Sequence, residues 1–295
     1  MKVLRWLNPS TSEFIYTVLL KPRWLRALAQ YVIKKLIPSS MMIEGVRLVL
    51  NQEDAVLCGA LALGCYERFE LRVFKGILRP GMFILDVGAN IGLFSAVAAS
   101  VLGETGRIIA VEPDARNCEF IRRTIQENRL TNLTVVQRAV SNITGTGQLY
   151  LCPDNKADHR IYDKGARNRR QVVPVKLTTL DDLVKEQSLP RVDVIKMDIQ
   201  GAESLAFEGM QEVFRANPNL IILVEFWPWG LAQAGSDPDK TLRDIRAREF
   251  HIYELDGDSR RVLPVHDDNV LLSRNLERHH TNLLLWRGND LPPGI

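Results

Sequence analysis

Residues 84–95 read Ile-Leu-Asp-Val-Gly-Ala-Asn-Ile-Gly-Leu-Phe-Ser: an apolar run that ends in an acid, a glycine-containing turn, and a second apolar stretch. This order predicts a buried strand over Phe83 to Val87, a turn, and a helix over Ile91 to Leu102. Open α/β sheets bind their ligands at such a place, outside the carboxyl ends of the strands. The stretch therefore predicts both the fold class and the position of a site.

Short β-rich runs alternate with helical stretches on both sides of a polar insertion, and this alternation indicates a parallel sheet built from βαβ units. The expected further strands are Arg107 to Val111, Leu133 to Gln137, Val192 to Met197, Leu220 to Phe226, Phe250 to Leu255 and Asn282 to Trp286. The expected further helices are Ala115 to Asn128, Glu203 to Phe214 and Asp239 to Glu249. The insertion carries two more β-rich runs, Gly147 to Leu151 and Gln171 to Leu177.

The glycine turn lacks the residues that bind phosphate. A dinucleotide fingerprint would have glycines where Asn90 and Leu93 stand, and a P-loop would need Gly-Lys-Ser/Thr. Glu112, at the end of the second strand, is placed to accept hydrogen bonds from ribose hydroxyls. Together with Asp86 it suits a nucleoside that carries a cationic amino-acid tail, and S-adenosylmethionine is such a molecule. Taken alone, either acid could equally cap a helix or lie in a solvated turn.

Four segments resemble the FkbM-type family of S-adenosylmethionine-dependent methyltransferases, and the likeness runs from about Gly81 to Leu285. These segments are Asp86-Val87-Gly88-Ala89-Asn90-Ile91-Gly92, Val111-Glu112-Pro113, Thr179-Leu180-Asp181 and Ile195-Lys196-Met197-Asp198-Ile199-Gln200-Gly201-Ala202-Glu203. The resemblance implies a class I, Rossmann-like fold with a seven-stranded, mostly parallel sheet and an antiparallel last strand. It also implies methyl transfer to a hydroxyl group of a polyketide, a sugar or another secondary metabolite. The family usually has an acid at the position of Gln200.

The residues expected to bind the cofactor follow from these segments and from the strand ends. They are Asp86, Gly88, Ala89, Asn90, Gly92, Glu112, Pro113, Asp198 and, through its backbone beside the adenine, Ala139. A divalent metal is chemically possible, but no metal ligands are indicated.

Methylation of an alcohol needs a base or a metal, because an alcohol is a poor nucleophile. The candidates for this role are Asp198, Glu203, Glu225 and His159. Glu203 could equally be a first-turn acid that complements a helix dipole, and His159 could be a solvated loop residue. The chain lacks the Asn/Asp-Pro-Pro-aromatic segment typical of amine and nucleobase methyltransferases, so we expect no nucleic-acid target.

Each of several further side chains has two possible roles, one in the site and one in the structure or at the surface. Lys196 could pair with an acid of the site or form a purely structural ion pair. Trp227 and Trp229, just after the fifth strand, could wall the acceptor site or pack in the core. Arg167, Arg169 and Arg170 could meet an anionic acceptor or simply be solvated.

The composition, 46% hydrophobic and 25% charged residues in a chain of 295, is that of a globular protein. No uncharged run reaches the ~18 residues of a membrane-spanning helix. Four separate cysteines without a C-x-x-C pair favour a reducing, cytoplasmic compartment. We therefore expect a cytoplasmic enzyme.

The positive charge is concentrated at the N-terminus: residues 1–40 carry seven Lys or Arg and one Glu, although the net charge of the whole chain is only +3. We expect residues 1–78 to form a basic helical arm and cap, with helices over Ser12 to Leu20 and Arg23 to Ile37 and a hairpin over Met41 to Leu50. Residues 79–295 should form the methyltransferase domain. The arm could lie on an anionic membrane or cap the main domain, where a homodimer contact is possible.

Two rival functions remain open at this stage. Gln200 is compatible with a scaffold that binds the cofactor without turnover. A nicotinamide-dependent enzyme is disfavoured by Asn90 and Leu93, which replace two fingerprint glycines.

Overall fold

The computed structural model describes residues 31–64, 66–152, 158–162, 171–275, 279–288, 292, 294 and 295. Its strands are β1 (Ser40–Ile43), β2 (Val46–Val49), β3 (Phe83–Val87), β4 (Arg107–Val111), β5 (Leu133–Val136), β6 (Ala139–Val140), β7 (Gly145–Leu151), β8 (Gln171–Thr178), β9 (Val194–Met197), β10 (Ile221–Phe226), β11 (His251–Asp256), β12 (Arg261–Pro264) and β13 (Thr281–Trp286). Its helices are α1 (Leu57–Ala62), α2 (Arg68–Ile77), α3 (Leu93–Leu102), α4 (Ala115–Asn128), α5 (Leu180–Glu186), α6 (Glu203–Glu208), α7 (Gln211–Ala216), α8 (Pro228–Gln233), α9 (Pro238–Arg246) and α10 (Asp268–Asn275).

Eight strands form the main sheet in the order β12-β11-β13-β10-β9-β3-β4-β5. The five strands from β10 to β5 pair in parallel, whereas β13 is antiparallel to both of its neighbours, β10 and β11. The sequence-based prediction of a class I sheet with an antiparallel last strand is therefore confirmed. The sheet also has an edge strand, β12, that was not expected. Its four residues are largely exposed, so no buried pattern marks them.

Residues along each parallel strand alternate between two hydrophobic cores, one on each face of the sheet. In β3, Ile84 belongs to one core and Leu85 to the other, and in β4, Ile108 and Ile109 divide in the same way. All four side chains are fully buried. Burial on both faces is what makes these strands read as continuous apolar runs in the sequence.

The insertion forms a separate three-stranded sheet in the order β6-β8-β7. Strands β7 and β8 pair antiparallel from Gly145 to Leu151, and the two predicted runs of the insertion lie within them. The short strand β6 pairs in parallel with the end of β8 and thereby attaches this sheet close to the end of β5. Residues 153–157 of the polar loop lie outside the described residues, as do Arg167, Arg169 and Arg170.

Several predicted helix bounds differ from the structure, and the helix expected over Asp239 to Glu249 is α9, Pro238–Arg246. The helix after the glycine turn begins at Leu93 rather than Ile91, because Asn90 and Gly92 have positive φ angles of 51° and 84°. The helix expected over Glu203 to Phe214 is instead two short helices that meet at Gly209. A Cβ atom at Gly209 would collide with the carbonyl oxygen of Ser141. Gly209 therefore lies directly against the residue that follows β6.

The N-terminal part packs on the sheet domain through α4. Strands β1 and β2 form the expected hairpin, and residues 31–36, within the helix predicted over Arg23 to Ile37, are helical. The helix predicted over Ser12 to Leu20 lies outside the described residues. Asn128 Oδ1 accepts from the Arg47 amide at 2.7 Å, and Thr124 Oγ1 accepts from the Val49 amide at 3.1 Å. One hydrophobic core continues across residues 78 and 79, where the domain boundary was placed; that boundary stays a prediction.

No described helix combines the length and the apolar character that crossing a bilayer requires. This observation concerns only the residues that the structure describes.

Helix α2 is held against α3 by a buried aromatic pair, Phe74 and Phe94, whose ring centroids lie 5.2 Å apart in an edge-to-face arrangement. Replacing the fully buried Phe74 by alanine should lower the free energy of unfolding by about 3–5 kcal/mol, because the ring leaves a cavity. Urea unfolding measures this as a lower midpoint at an unchanged slope. Val172→Ala, at an exposed position of β8, is the matched control and should change the stability by less than about 0.5 kcal/mol. Equal losses in both variants would contradict the packing.

Candidate active site

The carboxyl ends of β3, β4, β9 and β10 meet at one edge of the sheet, where a cleft of about 840 Å³ opens. This volume includes the part of the cleft that is open to solvent. The cleft is lined by Gly88, Ala89, Asn90, Glu112, Pro113, Ala139, His159 and Asp198, all of them expected site residues. Asp86 and Gly92 lie behind this lining rather than in it.

The glycine turn brings the backbone of two strand ends into contact. Gly88 has a φ of 78°, and a Cβ atom there would collide with the carbonyl oxygen of Asp198. The amides of Gly88 and Ala89 both donate to the carbonyl oxygen of Val111, at 2.9 and 3.1 Å. Only glycine allows this close approach, which fixes the turn between the ends of β3, β4 and β9.

Two buried oxygen atoms of the turn have no hydrogen-bond donor among the described residues, Asp86 Oδ1 and Asn90 Oδ1. Asp86 Oδ2 accepts from the Ser95 hydroxyl at 2.5 Å. Burial raises the pKa of Asp86, although the Lys196 ammonium acts in the opposite direction. Buried acceptors without a donor are rare in folded proteins. Asn90 lines the cleft, so its Oδ1 atom marks a place for a ligand donor.

Glu112 follows β4 and is clamped by backbone amides. Its Oε2 accepts from the Asn90 amide at 2.8 Å, and its Oε1 accepts from the Asp114 amide at 3.0 Å and from Asn117 Nδ2 at 3.3 Å. Burial nevertheless raises the pKa of Glu112 to about 7, and the hydrogen bonds only partly offset this effect. The carboxylate is therefore held rigidly at the wall of the cleft.

The other end of the cleft holds a charged cluster around the end of β9. Lys196 Nζ lies 3.5 Å from Asp198 Oδ2, which realises the ion pair considered for Lys196. Gln200 Nε2 donates to Asp198 Oδ1 at 2.9 Å and to Glu225 Oε2 at 3.1 Å. The structure thus brings two of the expected acids, Asp198 and Glu225, together through one amide.

Burial disfavours the charged form of an ionisable group in this cluster, so it acts to lower the pKa of a lysine and to raise the pKa of an acid. It lowers the pKa of Lys196, but the carboxylates of Asp198 and Asp86 more than compensate, so the net pKa is raised. The Lys196 ammonium also lies over the Phe94 ring, 5.0 Å from its centroid. Burial raises the pKa of Glu225 well above its usual range, and the neighbouring Asp198 raises it further. The Lys196 ammonium therefore lies among the carboxyl groups of Asp86, Asp198 and Glu225.

Glu203 supports the loop after β9 rather than lining the cleft. Its Oε1 accepts from the amides of Ile199 and Gly201 at 3.0 and 3.2 Å. The Oε2 atom is buried without a partner among the described residues, and burial raises the pKa of Glu203 to about 7. These contacts place Glu203 as a positioning residue for the loop that carries Gln200.

His159 lies at the Glu112 side of the cleft and not in the Asp198 cluster. Its Nδ1 accepts from the Cys152 amide at 3.1 Å, so in the neutral ring the proton is on Nε2. Nε2 faces Asp114 Oδ2 at 3.9 Å. In this tautomer the ring is a donor rather than a base.

The two tryptophans after β10 pack around a buried arginine. The Arg160 guanidinium lies 4.7 Å from the Trp227 ring and 5.7 Å from those of Trp229 and Tyr162. The Tyr162 hydroxyl donates to the carbonyl oxygen of Gln200. We call Trp227, Trp229 and Tyr162 the aromatic wall. Through Tyr162 it contacts the same loop whose amides donate to Glu203.

Sequence reasoning did not identify Tyr66 and Glu67, which precede α2. Tyr66 lines the cleft, and its hydroxyl is hydrogen-bonded to the Glu67 carboxylate. Burial raises the pKa of Glu67 to about 7, while Lys196 acts to lower it. Glu67 has a positive φ of 38°, unusual outside glycine. No motif marks these residues, because only the packing of α2 brings them to the cleft.

Among the residues that the structure describes, no group of three or more His, Cys, Asp or Glu side chains is arranged to hold a metal ion.

A family model described as the methyltransferase FkbM domain matches residues 86–252, more than half of the chain. The chain belongs to the FkbM methyltransferase family. Tyr66 and Glu67 lie before the region that the FkbM domain model matches.

Two curated relatives resemble parts of this FkbM protein. Methyltransferase sdnD of Sordaria araneosa is 29% identical over 160 residues, which are 44% of this chain and 61% of sdnD. The AMB antimetabolite synthetase AmbE of Pseudomonas aeruginosa is 29% identical over 228 residues, 63% of this chain and 10% of AmbE. The chain thus spans less than two thirds of the length of either relative.

Among solved structures, an O-methyltransferase from Bacillus cereus in complex with SAH is similar at a TM-score of 0.43. It has 11% identity, and the similarity covers 94% of this chain and 96% of that one. Aeropyrum pernix fibrillarin, with natively bound S-adenosyl-L-methionine, is similar at a TM-score of 0.41 with 12% identity, over 74% of each chain.

The raised pKa of Glu203 predicts how stability depends on pH. The folded form binds the Glu203 proton more tightly than the unfolded form, so this contribution is full below about pH 4.5 and is lost as the pH rises through about 7. The free energy of unfolding of Glu203→Gln should therefore fall less between pH 4.5 and 7.5 than that of the unmodified chain, by up to about 3 kcal/mol.

Urea midpoints at several pH values measure this difference. Glu119→Gln, an exposed change on α4, is the control and should keep the original pH dependence. Parallel curves for Glu203→Gln and the unmodified chain would show that Glu203 is not the titrating group.

Proposed function

We propose that this FkbM protein transfers a methyl group from S-adenosylmethionine to a hydroxyl oxygen of a small molecule. The observation that carries the proposal is the cleft itself. One end presents the clamped Glu112 and the unpartnered oxygen of Asn90, and the other presents the charged pair of Lys196 and Asp198.

The residues present fit this cofactor. Glu112 would accept hydrogen bonds from the ribose hydroxyls, as acids at the end of the second strand do in such sheets. The unpartnered oxygen of Asn90 would accept from the ammonium group of the amino-acid tail, and the charge of Asp86, behind this lining, would favour the same group. Because Gly88 has no side chain, the backbone of Asp198 can lie against the glycine turn beside the ligand. The cofactor supplies a methyl group already activated by a sulfonium.

The protein's own task is to hold the acceptor hydroxyl and to receive its proton. Asp198 suits the second role, because it lines the cleft at the end of β9, with the Lys196 ammonium 3.5 Å from its Oδ2 atom. Glu225 is the poorer base at neutral pH, since burial raises its pKa and favours the protonated form. The Gln200 amide keeps both carboxyl groups in place by donating to each.

The aromatic wall of Trp227, Trp229 and Tyr162 would keep water away from this end of the cleft. A drier site strengthens the electrostatic interactions between the reacting groups.

A cofactor-binding scaffold without turnover is the second candidate, and Gln200 favours it. The Gln200 amide ties Asp198 to Glu225 where relatives of this family usually have an acid. If that acid is essential for proton removal, the chain would bind cofactor and transfer nothing. A nicotinamide-dependent function has weaker support, because Asn90 and Leu93 occupy two of the fingerprint glycine positions.

Four further properties are also proposals: the class of acceptor, the cellular location, a membrane contact and a homodimer. A secondary-metabolite acceptor is supported by the similarity to AmbE, which is named as an antimetabolite synthetase. A cytoplasmic location, a peripheral membrane contact through residues 1–40 and a homodimer remain predictions from the sequence. Residues 1–30, which carry much of the basic arm, lie outside the described residues.

The cofactor is tested by calorimetric titration with S-adenosylmethionine and, separately, with NADH. The unmodified chain should bind only the former, and Glu112→Ala should weaken that binding by about tenfold or more, because a charged acceptor is lost. The control is Glu119→Ala, at an exposed position of α4, and it should leave the affinity for S-adenosylmethionine unchanged. Binding of NADH alone would overturn the proposal, and so would an unaffected Glu112→Ala variant.

Turnover separates the enzyme from the scaffold. With an acceptor found by screening hydroxylated compounds, Asp198→Asn should reduce methyl transfer about 10²–10⁴-fold, since it removes the proton acceptor. Mass spectrometry of the methylated product measures the rate. Asp193→Asn, at the opposite end of β9, is the control for a carboxylate outside the cleft. Cofactor binding without any methyl transfer across the screen would favour the scaffold.

A further inference from the structure

A second groove joins the cleft on the side of the N-terminal hairpin. We call it the β1–α2 groove, because β1 and its turn form one wall and α2 forms the other. Its volume is about 1280 Å³, including the part open to solvent. Three residues, Leu61, Tyr66 and Leu93, line both the groove and the cleft, so the two spaces meet at Tyr66.

The floor of the groove is apolar. Met41 and Ile43 contribute from β1, Leu71 from α2, and Leu61 from α1. Met42, beside them, exposes 56% of its surface to solvent. Apolar side chains with a few polar groups at the edge are typical of a ligand-binding groove.

The rim of the groove is cationic. Arg68 and Arg72 lie one turn apart on α2 and are exposed, and neither forms an ion pair with any described residue. The third cation of the rim, Lys75, is already paired, because its Nζ lies 2.7 Å from Glu44 Oε2. Two guanidinium groups thus remain for an anion, and the guanidinium fork suits carboxylate and phosphate.

The charges of the two spaces set an orientation. The inner end, beyond Tyr66, holds the ion pair of Lys196 and Asp198, whose charges offset each other. An anion is attracted instead to the rim, where Arg68 and Arg72 have no carboxylate partner among the described residues. A molecule that lies in the groove with its anion at the rim would present its other end to Asp198.

We propose that the β1–α2 groove binds the methyl acceptor, and that this acceptor is a free small molecule with a hydroxyl group, a largely apolar body and one anionic group. The inference rests on the proposed methyltransferase function and narrows its substrate class. Neutral sugars do not fit the groove, because they offer neither an apolar body for its floor nor an anion for its rim.

Calorimetry on the full chain tests the inference with three probes below their micellar concentrations: 3-hydroxydecanoate, decyl phosphate and the neutral 1,3-decanediol. At least one anionic probe should bind about tenfold or more tightly than the diol, because hydrogen bonds to a charged group are lost in the diol. The stronger of the two anionic probes identifies the anion as carboxylate or phosphate.

The double variant Arg68→Glu/Arg72→Glu should lose that tenfold preference. Arg261→Glu, an exposed arginine on β12 without an ion pair among the described residues, is the matched control and should keep it. Equal binding of all three probes would overturn the proposal, as would an unchanged preference in the double variant.

S-Adenosylmethionine is titrated on the same samples, so that the two proposals can fail separately. Cofactor binding without probe binding would contradict only the groove. Absence of S-adenosylmethionine binding to the unmodified chain would contradict the proposed function.

Other occupants of the groove are tested by replacing Met42 with the photoreactive p-benzoylphenylalanine. Light should attach 3-hydroxydecanoate to this position. Cross-linking instead to residues 1–30 of the same chain, or to a second copy, would overturn the assignment to the acceptor. Binding to phosphatidylglycerol vesicles through Arg68 and Arg72, without binding of monomeric probes, would also overturn it.

Discussion

The site depends on one close approach between the ends of β3 and β9. The Asp198 amide donates to the Val87 carbonyl at 3.0 Å, which extends the parallel ladder by one residue, and the Asp198 carbonyl oxygen then fills the space that a side chain at Gly88 would need. The glycine turn and the loop of Asp198 are therefore in direct contact. Because they touch, the carboxylates of Asp86 and Asp198 both act on the buried Lys196.

The charge balance of the cleft follows from this contact. Burial raises the pKa values of Glu67, Asp86 and Glu225, which shows that the folded chain holds these acids at a cost in free energy. Lys196 offsets part of that cost. Proteins keep such unfavourable arrangements mainly at functional sites. A cationic ligand would offset more of the cost, and this matches a cofactor with a sulfonium and an ammonium group.

A segment outside the FkbM domain model contributes to the cleft. The Phe74 ring packs on Phe94, and Phe94 in turn lies beneath the Lys196 ammonium. Helix α2 is thereby tied to the charged cluster. Of the residues just before it, Tyr66 lines the cleft and Glu67 lies near Lys196. The β1–α2 groove exists for the same reason, because α2 forms its wall as well as positioning Tyr66 between the two spaces.

The sequence by itself determined the main strands of the sheet, the glycine turn within residues 84–95 and the position of Glu112 at a strand end. Each of these depends on neighbours a few residues away. It did not show that Gly209 divides a helix, that Glu203 clamps a loop, that His159 lies beside Asp114, or that Glu67 reaches Lys196. Only the tertiary structure decided these points. Periodicity reports which side of a strand or helix faces an apolar core, whereas crossovers between distant strand ends decide which charged side chains meet.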